Sequence, residues 1–150
     1  MILALDTATH TGWCLWSNGS VVESGVVSFE KRRGESNGSM FLRFRRWLDE
    51  MLTENVKFVV YERAHHRGGA ATEICTNLTG RVQELCASKG IEYAAVASVT
   101  LKKCATGSGK SDKAGVMLAA GKLTGRTIDD DNEADAIMLA AYAASEYGNL

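Results

Sequence analysis

Three carboxylates stand out in this chain because of where they fall. Asp6 closes the apolar run Ile2-Leu-Ala-Leu5, Glu62 closes Val56-Lys-Phe-Val-Val-Tyr61, and Asp135 sits within Asn132-Glu-Ala-Asp-Ala-Ile-Met-Leu139. A strand that ends on a carboxylate inside a hydrophobic sheet is costly unless the charge has a partner, and a metal ion, or a phosphate held through one, supplies it. Three acids brought together repel one another and need cations. Hard oxygen ligands in that number suit Mg²⁺ or Mn²⁺ rather than zinc. Each acid also has a plainer use. Asp6 could accept hydrogen bonds in the turn of Thr7, Thr9 and Thr11, and Glu62 could pair with Arg63 or Arg67. Asn132 could cap a helix, with Asp135 its partner three residues on.

The elements that must position these acids are legible from periodicity. Residues 1–7, 12–17 and 20–29 read as three strands, the last two joined by the hairpin turn Ser17-Asn-Gly-Ser20. Residues 31–39 are charged and rich in Gly and Ser, hence a loop. From Met40 the period changes to that of a helix, with Phe44, Trp47 and Met51 on one face and Arg43, Arg45 and Arg46 on the other. A strand over 56–61 follows, then a polar loop at 64–70. Next comes a helix over 71–88, carrying the stripe Ile74, Leu78, Val82 and Leu85 and stopped by Gly90. A fifth strand covers 91–97, with helices at 98–105, 112–123 and 132–147 and a flexible loop at 106–110.

Hairpin-linked strands followed by strand–helix–strand crossovers predict an α/β fold, a mixed five-stranded sheet with helices on both faces, in one domain spanning residues 1–150. In such folds parallel strands end along one edge of the sheet, so Asp6 and Glu62 are expected to meet there.

Net charge is −1, so the overall field argues neither for nor against a polyanionic partner, but the charges are segregated. Lys31, Arg32, Arg33, Arg43, Arg45 and Arg46 form one basic group and Lys102, Lys103, Lys110 and Lys113 another, beside an acidic block of Asp129, Asp130, Asp131, Glu133 and Asp135. That pattern suits an enzyme that holds a polyanion and binds divalent metal; a solvated mixed-charge surface explains it equally. Cys14, Cys75, Cys86 and Cys104 are widely spaced without a Cys-x-x-Cys pair and read as structural thiols. No apolar run approaches the roughly 20 residues that span a bilayer, and no basic–apolar leader is visible, so a cytoplasmic protein without a membrane partner is expected.

Taken together, the segments resemble the RuvC family of Holliday junction resolvases, within the RNase H-like superfamily. Ile2-Leu-Ala-Leu-Asp-Thr-Ala-Thr-His-Thr-Gly12 resembles that family's first acidic strand and Val59-Val-Tyr-Glu62 its second. Val99-Thr-Leu-Lys-Lys-Cys-Ala-Thr-Gly-Ser-Gly-Lys-Ser-Asp-Lys-Ala-Gly-Val116 resembles its basic loop and following helix, and Asn132 to Leu139 its final acidic helix. The four segments cover the chain end to end in the family's order.

The resemblance implies an RNase H-like fold and a metal-dependent endodeoxyribonuclease that resolves four-way or branched DNA junctions, leaving 5′ phosphate and 3′ hydroxyl ends. It implies Asp6, Glu62 and Asp135 as catalytic, metal-binding acids, with Asn132 as a further ligand where the family places an acid or a histidine. Two Mg²⁺ or Mn²⁺ ions are implied per site, with Lys113 as the catalytic cation. DNA contacts are expected from Lys102, Lys103, Lys110, Lys113, His65 and Arg67, and further phosphate contacts from Arg32 and Arg33. The partners implied are branched DNA and a second copy of the chain, in the cytoplasm or in a host's cytoplasm if the source is viral. In the family the helix after the second acid lines the dimer interface, so 71–88 is the candidate here, although its apolar stripe could equally be core.

Two alternatives share the opening motif or the fold. An actin- or sugar-kinase-like nucleotide-binding protein, or a relative that partners tRNA modification, also begins with an apolar–Asp–Thr strand. It would need a second sheet domain, and leaves Lys102–Lys113 and Asp135 unexplained. A non-catalytic junction-binding domain would account for Asn132 in place of an acid.

Overall fold

A fully buried apolar run, Ile2-Leu-Ala-Leu5, forms the middle of the sheet. In the computed structural model, which describes residues 1–64, 68–109 and 112–148, strand β1 (Ile2–Asp6) is central. Around it the five strands run in the order β3-β2-β1-β4-β5. Strands β2 (His10–Ser17) and β3 (Ser20–Ser28) extend the sheet on one side by antiparallel pairing. On the other side β4 (Phe58–Glu62) and β5 (Glu92–Val96) pair parallel. The β2–β3 turn places Asn18 at φ 53° and Gly19 at φ 81°, the doubly left-handed geometry that matches a hairpin's twist.

Side chains alternate across a strand, so the register of β1 and β4 decides which acid faces what. Ile2, Ala4, Phe58 and Val60 point to one core, where α3 (Ser98–Thr106), α4 (Lys113–Thr124) and α5 (Asp131–Tyr147) cover the sheet. Leu3, Leu5, Val59 and Tyr61 point to the other, covered by α1 (Asn37–Met51) and α2 (Gly69–Lys89). Asp6 continues the series of Ile2 and Ala4, and Glu62 that of Phe58 and Val60. Both acids therefore face the α5 side.

The expected elements are present in the expected order, with shifted ends. Helix α1 begins three residues before Met40, because Ser36 caps it: its hydroxyl accepts from the backbone N–H of Ser39 at 3.3 Å. Gly90 ends α2 in the left-handed conformation at φ 67°. The stripe on α2 resolves as core: Leu78, Val82 and Leu85 are buried against α1 and the sheet, so they do not offer an interface. Polar ties reinforce that packing, with Lys89 3.0 Å from Asp49 and the guanidinium of Arg81 4.7 Å from the ring centre of Phe41. Arg45, half-exposed, lies 3.7 Å from Glu84. No described helix is long and apolar enough to cross a membrane.

Candidate metal centre

Asp6, Glu62 and Asp135 converge at the edge of the sheet, each offering an oxygen within 4.8 Å of the others. Asp6 and Glu62 arrive on adjacent parallel strands, in which Leu5 pairs with Tyr61 one residue earlier. Asp135 arrives on α5, from the face toward which both strand acids point. For Asp6 and Asn132 the plainer readings give way. Thr11 closes its turn on the backbone, donating to Ala8 O at 2.7 Å. The cap of α5 is Asp130, not Asn132; its carboxylate accepts from Asn132 N at 2.8 Å and Glu133 N at 3.2 Å.

Helix α5 reaches the site because the sheet makes room for it. Gly12 lies beside Asp6 in the β1–β2 ladder, and a Cβ there would stand 1.9 Å from the carbonyl oxygen of Asn132. Only glycine permits that approach. One residue on, Glu133 anchors the same turn to β3 and to the loop before α5. Its carboxylate accepts from the Ser24 hydroxyl at 2.8 Å and forms an ion pair with Arg126, which also donates to Ser24 at 2.8 Å. Ala134, Ile137 and Ala140 then bury the helix on the sheet.

The acidic block is thus divided among several tasks. Asp130 caps the helix, Asp131 lies 3.0 Å from the Lys113 ammonium, Glu133 holds the Arg126–Ser24 tie, and Asp135 alone enters the cluster. Asn132 sits over Gly12 three residues before Asp135, one turn away on the same side of the helix.

Burial and the Glu62 charge dominate the cluster's electrostatics. Burial, then the neighbouring Glu62 and Asp135 charges, hold the Asp6 carboxyl well above the usual carboxylate range. Burial, then Glu62, push Asp135 up to about 7, with Lys102 acting in the opposite direction. An all-oxygen set of three close carboxylates, in which Glu62 raises the cost of ionising both Asp6 and Asp135, fits a hard divalent cation. It has no soft donor set for zinc; the nearby thiol of Cys75 donates to Thr7 O at 3.3 Å, and burial and the Asp6 and Glu62 charges raise its pKa. Asp6, Glu62 and Cys75 line a small cleft of about 120 Å³ with Thr7, Ala8, Arg63 and Ala64.

The expected basic residues divide. Lys102, half-buried on α3, is near enough to act on Asp135, and Lys113 at the start of α4 is held over the site by Asp131. Lys103 follows Lys102 by one helical step and is exposed. Arg32 and Arg33 are exposed on the loop after β3, at the end of the sheet that carries Asp6. His65, Arg67 and Lys110 lie outside the described residues. The residues that sequence reasoning missed are Gly12, Ser24, Arg126, Glu133 and Asp131 in its lysine-holding role. Gly12, within an apolar strand next to a Thr turn, was the one visible sign of a close approach.

No protein-family model matches the sequence, and no curated protein does. Solved structures do match. A structure of RuvC from T. thermophilus in complex with a Holliday junction substrate shares 19% identity, covering 95% of this chain and 92% of that one at a TM-score of 0.81. Another Thermus thermophilus RuvC structure shares 18% identity, covering 99% of this chain and 96% of that one at a TM-score of 0.77. At such identity the likeness establishes the fold: the mixed five-stranded sheet with helices on both faces is that of RuvC.

Proposed function

We propose that this chain is a divalent-metal-dependent endodeoxyribonuclease that resolves four-way or branched DNA junctions, leaving 5′ phosphate and 3′ hydroxyl ends. The observation that carries the reading is the convergence of Asp6, Glu62 and Asp135 at one sheet edge, with Lys113 and Lys102 beside them. The likeness to a RuvC solved with its Holliday junction substrate supports the choice of branched DNA.

Asp6, Glu62 and Asp135, with the amide of Asn132, would hold two Mg²⁺ or Mn²⁺ ions. When bound, such a pair supplies a nucleophilic water at neutral pH and neutralises charge on both sides of an in-line displacement. The chain's own residues do the rest. Lys113, kept over the site by Asp131, stabilises charge that develops on the phosphoryl oxygens. Lys102 holds a neighbouring phosphate and offsets the acids' repulsion of DNA. Lys103, Lys110, His65 and Arg67 extend the contact along the branch.

A four-way junction has two-fold symmetry, so paired cuts call for a homodimer with an isologous interface. Since the apolar stripe of α2 is core, the exposed face with Ala71, Glu73, Thr76, Gly80, Gln83 and Ala87 is the dimer surface in this reading. The enzyme acts in the cytoplasm, where it meets DNA directly.

The test is cleavage of a labelled synthetic four-way junction, with linear duplex as control, in Mg²⁺ and in Mn²⁺. Paired symmetric nicks that require metal and vanish in Asp6→Asn are expected. Tight binding without any cut would replace the proposal with a binding-only domain, and neither binding nor cutting would overturn it.

A further inference from the structure

Arg43 was expected on the solvent face of α1, and it is instead built into the loop that precedes that helix. Its guanidinium donates to Phe29 O at 3.1 Å and Glu30 O at 2.9 Å, and to both carboxylate oxygens of Glu35 at 3.1 and 3.3 Å. Glu35 in turn accepts from the backbone N–H of Arg32 at 2.6 Å, and its own N–H donates to Arg32 O at 3.0 Å. Gly34 turns the chain at φ 82°. The loop is also stitched to the turn that follows Asp6, because Phe29 N donates to Thr9 O at 2.7 Å. A fork of donors that satisfies two carbonyls and a carboxylate at once is a use to which arginine is suited and lysine is not.

This scaffold presents Lys31, Arg32 and Arg33 in a row. All three are exposed, and none forms an ion pair among the described residues. They stand at the same end of the sheet as the acids: Asp6 pairs with Gly12, Gly12 with Val26, and the loop begins just beyond Ser28. Two strand spacings separate β3 from β1, roughly 10 Å. The loop leads into α1, whereas Lys102 and Lys113 stand on the α3–α5 side. The carboxylates are thus flanked by cations from both faces of the sheet. With one charge per ~3.4 Å of axis on each DNA strand, that offset corresponds to a few nucleotides.

We infer that Lys31, Arg32 and Arg33 form a preformed phosphate clamp for the DNA strand that leaves the metal centre, with Arg43 and Glu35 as positioning residues that hold it in shape. The inference rests on the proposed function and adds to it a second anchoring point. Cations on a loop whose backbone is already held in shape give up less freedom on binding than cations on a floppy loop, which is the physical use of the Arg43 tie. Contacts to phosphate carry no shape or sequence information of their own, so the clamp acts equally on junction and duplex arms.

The experiment measures binding of a labelled four-way junction and a linear duplex by anisotropy, without divalent metal, across a salt series. It compares the wild-type protein, the K31A/R32A/R33A variant and Arg43→Ala, with a thermal melt of each. The triple variant, altered only at exposed positions, is expected to bind both DNAs at least tenfold more weakly. Its slope of log affinity against log salt should be shallower by about 2–3, one phosphate contact being lost per cation. Arg43→Ala is expected to flatten the slope by a similar amount while still melting cooperatively. Wild-type slope and affinity in the triple variant would overturn the clamp and leave the proposed function standing. A loss confined to the junction would also overturn it, by showing shape readout. Wild-type behaviour in Arg43→Ala would remove the positioning role. Wild-type protein that binds neither DNA would overturn the proposed function and the clamp with it.

Discussion

The ammonium of Lys113 lies 3.0 Å from Asp131 Oδ2, which joins the first residue of α4 to the first residue of α5. The hydrogen bond to Asp131, and then its charge, hold the lysine's pKa up, so it remains a cation over the working range. This pairing fixes the direction from which positive charge reaches the carboxylate cluster. Lys113→Ala is expected to lower junction cleavage by about 10²–10³, the usual effect of removing a group that stabilises transition-state charge. Asp131→Asn, which frees the lysine without removing it, should cost about tenfold. Single-turnover cleavage rates of the two variants provide the comparison.

Asp6→Asn should abolish cleavage and make the metal-free protein more stable. In the wild type, burial and two neighbouring carboxylates oppose ionisation of Asp6, and the amide removes that opposition. Thermal melts in EDTA at neutral pH should show a rise of a few degrees, corresponding to about 1–2 kcal/mol. A fall in melting temperature would show that the carboxylate does structural work.

Stability should depend on pH in a defined sense. Asp135 titrates at about 7 in the folded chain against 3.8 as its ordinary value, so between those limits the folded state binds more protons than the unfolded one. Stability is then fully present below about pH 4 as far as this group is concerned, and is lost as pH rises toward and through 7. The metal-free protein should melt several degrees lower at pH 8 than at pH 5. Added Mg²⁺ or Mn²⁺ should restore more at pH 8, and Asp135→Asn should flatten the dependence. Melting curves with and without metal at the two pH values test all three points.

Asn132→Asp would add a fourth carboxylate one turn before Asp135. Metal affinity rises with the number of charged ligands, so half-maximal cleavage should need about tenfold less metal. The same change should lower the melting temperature in EDTA, since the new acid adds negative charge beside Asp6, Glu62 and Asp135. A metal titration of cleavage rate and a metal-free melt read the two effects separately.

Gly12→Ala tests how α5 is seated. A Cβ at this position meets backbone rather than a movable side chain, 1.9 Å from the Asn132 carbonyl oxygen. Overpacking of this kind costs at least 1–3 kcal/mol, and here it must push the helix that carries Asp135 away from Asp6. Reduced metal affinity together with a lower melting temperature is the expected result. The loss of metal affinity should exceed that of Ser24→Ala, which removes one hydroxyl from the Glu133 tie and leaves the helix seated.

The sheet and its acids were legible because they follow from strong local signals. An apolar run broken by Asp6, a second broken by Glu62 and the alternation of strand faces suffice to bring two carboxylates to one edge. The acidic block was legible as composition only. Nothing local tells Asp130, which caps, from Asp131, which holds a lysine, or either from Glu133, whose partners Ser24 and Arg126 lie elsewhere in the chain. Arg43 was misread for the same reason: helical periodicity gives a side chain's direction at its own turn, not the loop that folds back beneath it. The α2 stripe could be settled only by packing, because core and interface use the same residues at the same spacing.

The carboxylate cluster draws on the first strand, the fourth and the last helix, so its members are separated by most of the chain. A polypeptide emerging from the ribosome carries Asp6 early and Glu62 midway, but has no third acid until residues beyond 131 are made and have docked. Every partly synthesised form therefore lacks a complete centre. Under the proposed function, a centre assembled in this way forms only once α5 has docked on the sheet.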